Sequence, residues 1–598
     1  MKLSDYIVDF LSRRLNVDRV FTIVGGGNMH LVDSIHRSER VDYVCTQHEQ
    51  AASIAAIGYG RARGSVGVCL VTSGPGGTNA LTGVCCAWMD SNPVIYISGQ
   101  VSRRDYVDGR GIRQLGVQQL NVVDIVRSVT KYAVMIDDPE DVRFHLEKAM
   151  ALALGGRPGP VWLDIPQDVQ MAQIDPSRLR PWDGSGGDPE IPDFSDKLGE
   201  IVSRLRTARR PVLIIGQGVR LSGALQELDA LVSRLGMPVL TTWNGIDLLA
   251  EDHPLYVGRS GVFGQYGANF AVANSDLILA IGSRLDTRQT GTARKTFARE
   301  AYRIVVDVSR HELEKGLTDI HLPVCADAKA FLRALLPLLE GLRGADISDW
   351  VGRCREWKKR YPTAKPEYLA EKGWVNSYVF VDALSDILRD DDVLVTDMGT
   401  SLSCTHQALK VKKGQTVITN TGFAPMGFGI CAAIGAWFGS GRNRVICLTG
   451  DGGLQMNIQE FQTLVHYKVP LKLFVLNNRE YATIKHTQTA YFDGRFAAAD
   501  PPSGYSVPDF IAVAKAYGLA AESIRDHAEL AGKLSTIMEA PESAVIDVSL
   551  ASNQPLVPIL LQHRRKDGLI VTDPIERLSP RLPEAEFKAN MIVAPLED

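Results

Sequence analysis

Asp451 and Asn478 lie 27 residues apart, and each follows an apolar run. The first run is Ile446-Cys447-Leu448-Thr449, ending in Gly450-Asp451-Gly452-Gly453; the second is Leu471 to Leu476, ending in Asn477-Asn478. If the two runs are neighbouring strands of one parallel sheet, their carboxyl ends meet at the edge where open α/β sheets bind ligands. A carboxylate and an amide then present hard oxygen atoms to one point, which suits Mg²⁺ carrying phosphate oxygens and water. The glycines let a diphosphate approach the backbone. Gly-Asp-Gly or Asn-Asn alone marks a turn or a strand end. The pair, with the amphipathic segment Met456 to Tyr467 between, is far more specific.

A second candidate is Gln47-His48-Glu49-Gln50-Ala51-Ala52, just after the short strand Tyr43 to Cys45. Ala51, Ala52, Ala55 and Ala56 permit close helix packing, so Glu49 is expected near the start of a buried helix. A zinc-protease motif is excluded, because position 52 is Ala rather than His. On this motif alone, Glu49 reads as a first-turn carboxylate favoured by the helix dipole.

The elements that position these residues follow one pattern. Val20 to Val24 precedes Gly25-Gly26-Gly27, Val68 to Val71 precedes Thr72-Ser73-Gly74-Pro75, and Val94 to Ile97 precedes Ser98-Gly99. Helical patterns lie between. Strand, glycine turn and helix in repetition predict an α/β fold with parallel sheets. Three such regions are expected, at 1–175, 190–345 and 365–560, each a doubly wound parallel-sheet domain built on one plan. The Gly-, Pro- and Asp-rich stretch Pro181 to Pro189 is a linker. Residues 561–598, basic at His563-Arg564-Arg565-Lys566 and then Pro-rich, are expected as an irregular C-terminal arm packed on a neighbouring subunit.

A chain of 598 residues, 45% hydrophobic, can bury a large core and holds about three to four domains. Its net charge of −4, with Lys and Arg dispersed, gives no footprint for nucleic acid or an anionic membrane. The nine cysteines form no C-x-x-C pair and read as small buried hydrophobes of a reducing compartment. Without an apolar signal core or a long apolar run, the cytoplasm is the expected location.

Taken in order, these motifs resemble the thiamin-diphosphate (ThDP) enzymes. Val20 to Gly27, His48-Glu49-Gln50, Thr72 to Asn79, Asp90 to Val101 and Gly156 to Pro166 look like the pyrimidine-binding half. Gly427-Phe428-Gly429, Gly450-Asp451-Gly452 and Asn477-Asn478 look like the diphosphate-binding half. Within that family, acetolactate synthase-like carboligases are the nearest in pattern, over about residues 1–555. The resemblance implies that ThDP serves as electron sink while a 2-oxo acid, pyruvate above all, loses CO₂ and a carbonyl acceptor is joined to the remainder.

It further implies roles for individual residues. Glu49 faces the aminopyrimidine, while Gln118 and Gly26 line the reaction pocket. Pro75, Asn79 and Tyr481 contact the cofactor. The carbonyl of Ala424 accepts from the aminopyrimidine, at a position where the family usually has Gly, and Met426 is the wedge that bends the cofactor. Gly399, Thr400, Gly450, Gly452 and Gly453 cradle phosphate. Asp451, Asn478 and the main-chain oxygen of Glu480 bind Mg²⁺. Gly216, Gly218, Arg284, Asp307 and Asp327 fall where relatives hold a structural FAD. The chain departs from that pattern at Thr287 and at Phe263-Gly264-Gln265. Active sites are expected between subunits of a homodimer or homotetramer. By register Thr487 replaces an acceptor-pocket tryptophan, and Val117 and Gln119 replace a Phe and a Glu. The acceptor therefore stays open among pyruvate, a keto-sugar, another ketone or an aldehyde, with simple decarboxylation as a further alternative. An oxidoreductase or a non-catalytic protein of the same fold are the competing classes.

Overall fold

In the computed structural model, eighteen of the strands form three parallel six-stranded sheets. The structure describes residues 1–107, 111–188, 191–316, 318–441, 443–564 and 570–596. Pro189 of the linker and Arg565-Lys566 of the basic run lie outside them.

The first sheet holds β1 (Arg19–Thr22), β2 (Asp42–Cys45), β3 (Gly67–Val71), β4 (Val94–Gln100), β5 (Tyr132–Met135) and β6 (Pro160–Pro166). The second holds β7 (Pro211–Ile215), β8 (Val239–Thr241), β9 (Tyr256–Gly258), β10 (Leu277–Ile281), β11 (Tyr302–Asp307) and β12 (Leu322–Cys325). The third holds β13 (Val393–Thr396), β14 (Thr416–Ile418), β15 (Val445–Gly450), β16 (Lys472–Asn477), β17 (Ala520–Ile524) and β18 (Ala544–Ser549). Central strands such as β7, β10 and β16 are buried at every position. Their continuous apolar runs fit sheets covered by helices on both faces.

The expected three doubly wound parallel sheets are present, in two strand orders. The first and third sheets share an order, β2-β1-β3-β4-β6-β5 and β14-β13-β15-β16-β18-β17. The second runs β12-β11-β10-β7-β8-β9, the dinucleotide-fold order. Each sheet has a point where the winding reverses, between β1 and β3, between β7 and β10, and between β13 and β15. Crevices for ligands open there, outside the carboxyl ends of the strands.

The two outer units meet through a helix pair. The helix Glu49–Arg63 packs on the helix Phe428–Gly439 at backbone contact. A Cβ on Gly435 would lie 1.8 Å from the Ala55 carbonyl oxygen, and one on Gly58 would lie 2.0 Å from that of Ala432. Both neighbours are main chain, so relief requires moving a helix. Gly435→Ala is therefore expected to lower unfolding stability by about 3 kcal/mol, read as a lower denaturant midpoint at unchanged slope.

The C-terminal arm differs from its expectation. It forms a short antiparallel pair, Gln562–Arg564 with Ile570–Thr572, and a helix, Glu584–Asn590. It docks on the central unit of its own chain. Asn269 Nδ2 donates to the Ile575 carbonyl at 2.6 Å, and Trp357 Nε1 donates to Asn590 Oδ1 at 2.8 Å. The Pro-rich composition hid this, because the partners lie over two hundred residues away. All nine cysteines are free. Among the described residues no helix is long and apolar enough to cross a membrane.

Candidate active site

Strands β15 and β16 are neighbours, with Gly450 opposite Leu476, so Asp451 and Asn478 leave the sheet side by side. Asp451 opens the helix Asp451–Gln455 and is 3% exposed. Its Oδ1 accepts from Gly452 N at 2.6 Å and from the Tyr505 hydroxyl at 2.9 Å; its Oδ2 accepts from Arg479 N at 2.6 Å. Burial pushes the carboxyl up to about 6, against the pull of these donors. A nearby cation would favour its ionised form. Asn478 is also buried, and its Oδ1 accepts from Glu480 N at 3.3 Å. The Glu480 carboxylate is turned to Lys485, 2.7 Å away, leaving only its main chain for a metal. No cluster of three or more His, Cys, Asp or Glu side chains forms a metal site among the described residues. A set of one carboxylate, one amide and one carbonyl is of another kind, and suits a hard ion completed by phosphate and water.

The glycines divide. An added Cβ on Gly399 would meet nothing within 4 Å, and one on Gly450 only the Met398 carbonyl oxygen at 3.9 Å. These two, with Thr400 at the start of the helix Thr400–Ala408, leave open space at the β13/β15 crevice for a diphosphate. At Gly452 a Cβ would lie 2.4 Å from the Tyr481 ring, and at Gly453 2.9 Å from Asp397. Their lack of a side chain admits those two residues.

Asp397, two residues before Gly399, carries no motif in the sequence that marks its task. It is 2% exposed. Oδ1 accepts from Met398 N at 2.7 Å, and Oδ2 accepts from the Thr449 hydroxyl at 3.0 Å and from Gly427 N at 3.2 Å. It thereby ties the ends of β13 and β15 to the turn that follows Met426. Tyr505 was missed altogether: no local pattern marks a tyrosine 54 residues beyond the aspartate it serves. Its ring lies 4.0 Å from that of Tyr481.

Ala424 and Met426, both half-buried, sit on the turn before the helix Phe428–Gly439. Ala424 has φ +61°, in the left-handed region that favours glycine. Ala424→Gly is therefore expected to stabilise the protein by about 0.5–1 kcal/mol, measured by denaturant titration.

The pyrimidine half gathers at the β1/β3 crevice. Glu49 is the first residue of its helix, whose cap, His48 Nδ1, accepts from Gln50 N at 3.1 Å. Asn79 Nδ2 donates to Glu49 Oε2 at 3.0 Å. Pro75 and Asn79 begin and end the short helix after β3. A Cβ on Gly74 would lie 2.7 Å from the Gln118 carbonyl oxygen, which places Gln118 beside Pro75. Gly26 opens a 3-10 turn and faces open space. Glu49 stands at the start of a buried helix, as expected: the helix is buried from Ala51 to Arg61, and within one chain Glu49 itself is half-buried. Its own chain leaves that face uncovered. Glu460, buried and pushed up to about 7, accepts from Gln47 N at 3.0 Å and holds the strand-to-helix turn from the third unit.

The central unit has its own cavity of about 420 Å³ at the β7/β10 crevice, lined by Gly218, Arg284, Asp307 and Asp327 among others. Gly216 lies beneath it: a Cβ there would lie 2.3 Å from the Gly282 carbonyl oxygen, so this glycine serves the close approach of two loops. Asp307 is 8% exposed, and burial raises its carboxyl above the usual range. Asp327 caps the helix Ala328–Leu335 by accepting from Ala330 N at 3.0 Å.

Two parallel sheets of like order flanking a dinucleotide-type sheet, with Asp451 beside Asn478 at one crevice and Glu49 at a helix start by another, have the layout of a three-domain ThDP enzyme. Comparison with known proteins gives the same class. Residues 1–125 match the model of the thiamine pyrophosphate enzyme N-terminal TPP binding domain, 198–335 its central domain, and 397–548 its C-terminal TPP binding domain. An acetolactate synthase large subunit of Cyanidium caldarium is 31% identical, over 94% of this chain and 96% of its own. A probable acetolactate synthase large subunit of Methanocaldococcus jannaschii is 33% identical, over 93% and 94%. The acetolactate synthase isozyme 2 large subunit of Escherichia coli is 32% identical, over 93% and 98%. The chain belongs to the ThDP-dependent enzymes of the acetolactate synthase type.

Proposed function

We propose that this enzyme decarboxylates a 2-oxo acid, pyruvate, and joins the remaining fragment to a carbonyl acceptor, with ThDP and Mg²⁺. ThDP, when bound, supplies the electron sink for loss of CO₂. Asp451, Asn478 and the Glu480 carbonyl hold Mg²⁺, while Gly399, Thr400 and Gly450 take the diphosphate and Gly452 and Gly453 admit the Tyr481 ring and the Asp397 carboxylate beside it. Glu49 exchanges a proton with the pyrimidine ring nitrogen, with Asn79 holding its carboxylate. Ala424 and Pro75 bind the ring, Met426 and Tyr481 shape the bed, and Gln118 and Gly26 offer hydrogen bonds to substrate oxygens. The domains are taken as 1–175, 190–345 and 365–560, with the arm 561–598, and the cytoplasm as their location.

The observation that carries the reading is the pair of open half-sites, each rimmed by exposed apolar side chains. Val24 is 56% exposed and Val117 86% beside the glutamate half; Phe423 is 42% and Met456 45% beside the metal half. Such patches mark surfaces covered in an assembly, which supports a homodimer at least, with sites between subunits. FAD in a structural role is proposed for the central cavity, supported by its strand order and its buried Asp307.

Thr487 lies exposed on the helix Ala482–Phe492, its hydroxyl donating to the Thr483 carbonyl at 3.1 Å. A small side chain there supports an acceptor larger than a second pyruvate, such as a ketone, aldehyde or keto-sugar. Mass spectrometry of products from pyruvate with a panel of 2-oxo acids, ketones and aldehydes tests this. Absence of CO₂ release from every 2-oxo acid, with ThDP and Mg²⁺ supplied, overturns the proposal.

A further inference from the structure

A second, smaller cavity of about 120 Å³ lies between the first and central units. Its lining includes Arg61 near the end of the helix Glu49–Arg63, Ser65 just beyond it, Asn92 before β4, and Gln217 and Arg220 after β7. It shares Leu154, Pro158, Gln217 and Leu221 with the larger central cavity. Arg61 is 9% exposed, Asn92 2% and Gln217 8%.

Many of the polar atoms here have no hydrogen-bond partner. Arg61 Nε and Nη1, Asn92 Nδ2 and Oδ1, Gln217 Nε2 and Oε1, Arg220 Nε and Ser65 Oγ are all buried without a hydrogen bond. Unpaired buried donors are costly, and an unpaired buried cation more so. So many in one place mark a site that something fills. Two carboxylates face the group. Asp247 pairs with Arg220 at 2.9 Å, and its other oxygen accepts from Val417 N. Asp90 accepts from Thr421 N and Gly422 N. Arg61 has no ion pair among the described residues; its Nη2 donates only to the Val417 carbonyl at 3.3 Å. Burial presses its guanidinium below the usual range, an effect that a bound anion would oppose.

We infer that this cavity is a binding site for a tetrahedral oxyanion. Two guanidinium groups, two amides and a hydroxyl offer the donors a phosphate or sulfate requires. The volume is several times the roughly 10–15 Å³ that one water needs. The same chemistry is offered by a free oxyanion and by a phosphate of a dinucleotide entering from the larger cavity.

The test is equilibrium dialysis of inorganic phosphate against the full-length protein, stripped of anions, with and without FAD. One phosphate per chain is expected, with a melting-temperature rise of roughly 2 °C at a hundredfold excess over Kd. Asn92→Leu and, independently, Arg220→Met should each weaken binding at least tenfold, and Ser65→Ala should do so by a smaller factor. Displacement of the phosphate by FAD would assign the cavity to a dinucleotide phosphate; simultaneous binding would assign it to a free oxyanion. A selenate soak should place its anomalous peak between Arg61 and Asn92. Absence of phosphate binding, binding unchanged in all three variants, or a cavity holding only water overturns the inference. None of these readouts depends on catalysis.

Discussion

Glu49→Gln is expected to lower turnover by about 10²–10⁴-fold while ThDP and Mg²⁺ still bind. The amide keeps an oxygen for the Asn79 hydrogen bond seen at 3.0 Å, so the helix start and its cap survive. What is lost is the ability to exchange a proton with the cofactor ring. The decisive readout is a split: the cofactor-induced rise in melting temperature persists while CO₂ release falls. Full activity would remove Glu49 from the mechanism. Because Glu49 is only half-buried in its own chain, wild-type activity should also fall on dilution below the dimer dissociation constant, measured as loss of specific activity alongside sedimentation.

Asp451→Ala should abolish cofactor-dependent stabilisation. The wild-type protein at a hundredfold excess of ThDP-Mg²⁺ over Kd gains about 2.7 kcal/mol; the variant should gain almost none. It also leaves the Gly452 and Arg479 amides and the Tyr505 hydroxyl without their acceptor, at about 1–3 kcal/mol for a buried donor that water cannot reach. The two effects separate in Asp451→Asn. That change keeps one acceptor oxygen, for the Gly452 amide and the Tyr505 hydroxyl, but sets an NH2 group against the Arg479 amide, so part of the stability loss remains while the cofactor response disappears in full. A normal cofactor-induced shift in both variants would show that the metal is held elsewhere. Tyr505→Phe provides a milder comparison, since it removes one donor and leaves the carboxylate.

The pairing of Asp451 with Asn478 was legible because both lie at the ends of apolar runs, and sheet geometry brings adjacent carboxyl ends together. The hydrogen bond of Asn79 to Glu49 was not legible in this way, because β2 and β3 lie on the two sides of β1 and only the fold brings the residues that follow them together. The glycines were read less well. Sequence shows that a side chain is absent, not which neighbour uses the space: open crevice at Gly450, a tyrosine ring at Gly452, a carboxylate at Gly453. The half-exposure of Glu49 within one chain was not legible, since an alanine-rich helix reports its own packed face and not its first turn.

The sequence by itself determined the alternation of strand, glycine turn and helix, the meeting of Asp451 with Asn478, the place of Glu49 at a helix start and the family, all carried by short-range patterns in backbone preference and side-chain type. Only the tertiary structure decided the distinct strand order of the central sheet, the service of Tyr505 to Asp451, the hold of Glu460 on Gln47 across 413 residues, and the unpaired polar cavity around Arg61. Each of these depends on which distant surfaces meet. Burial and hydrogen bonding are settled by neighbours in space, and local preference along the chain carries no record of them.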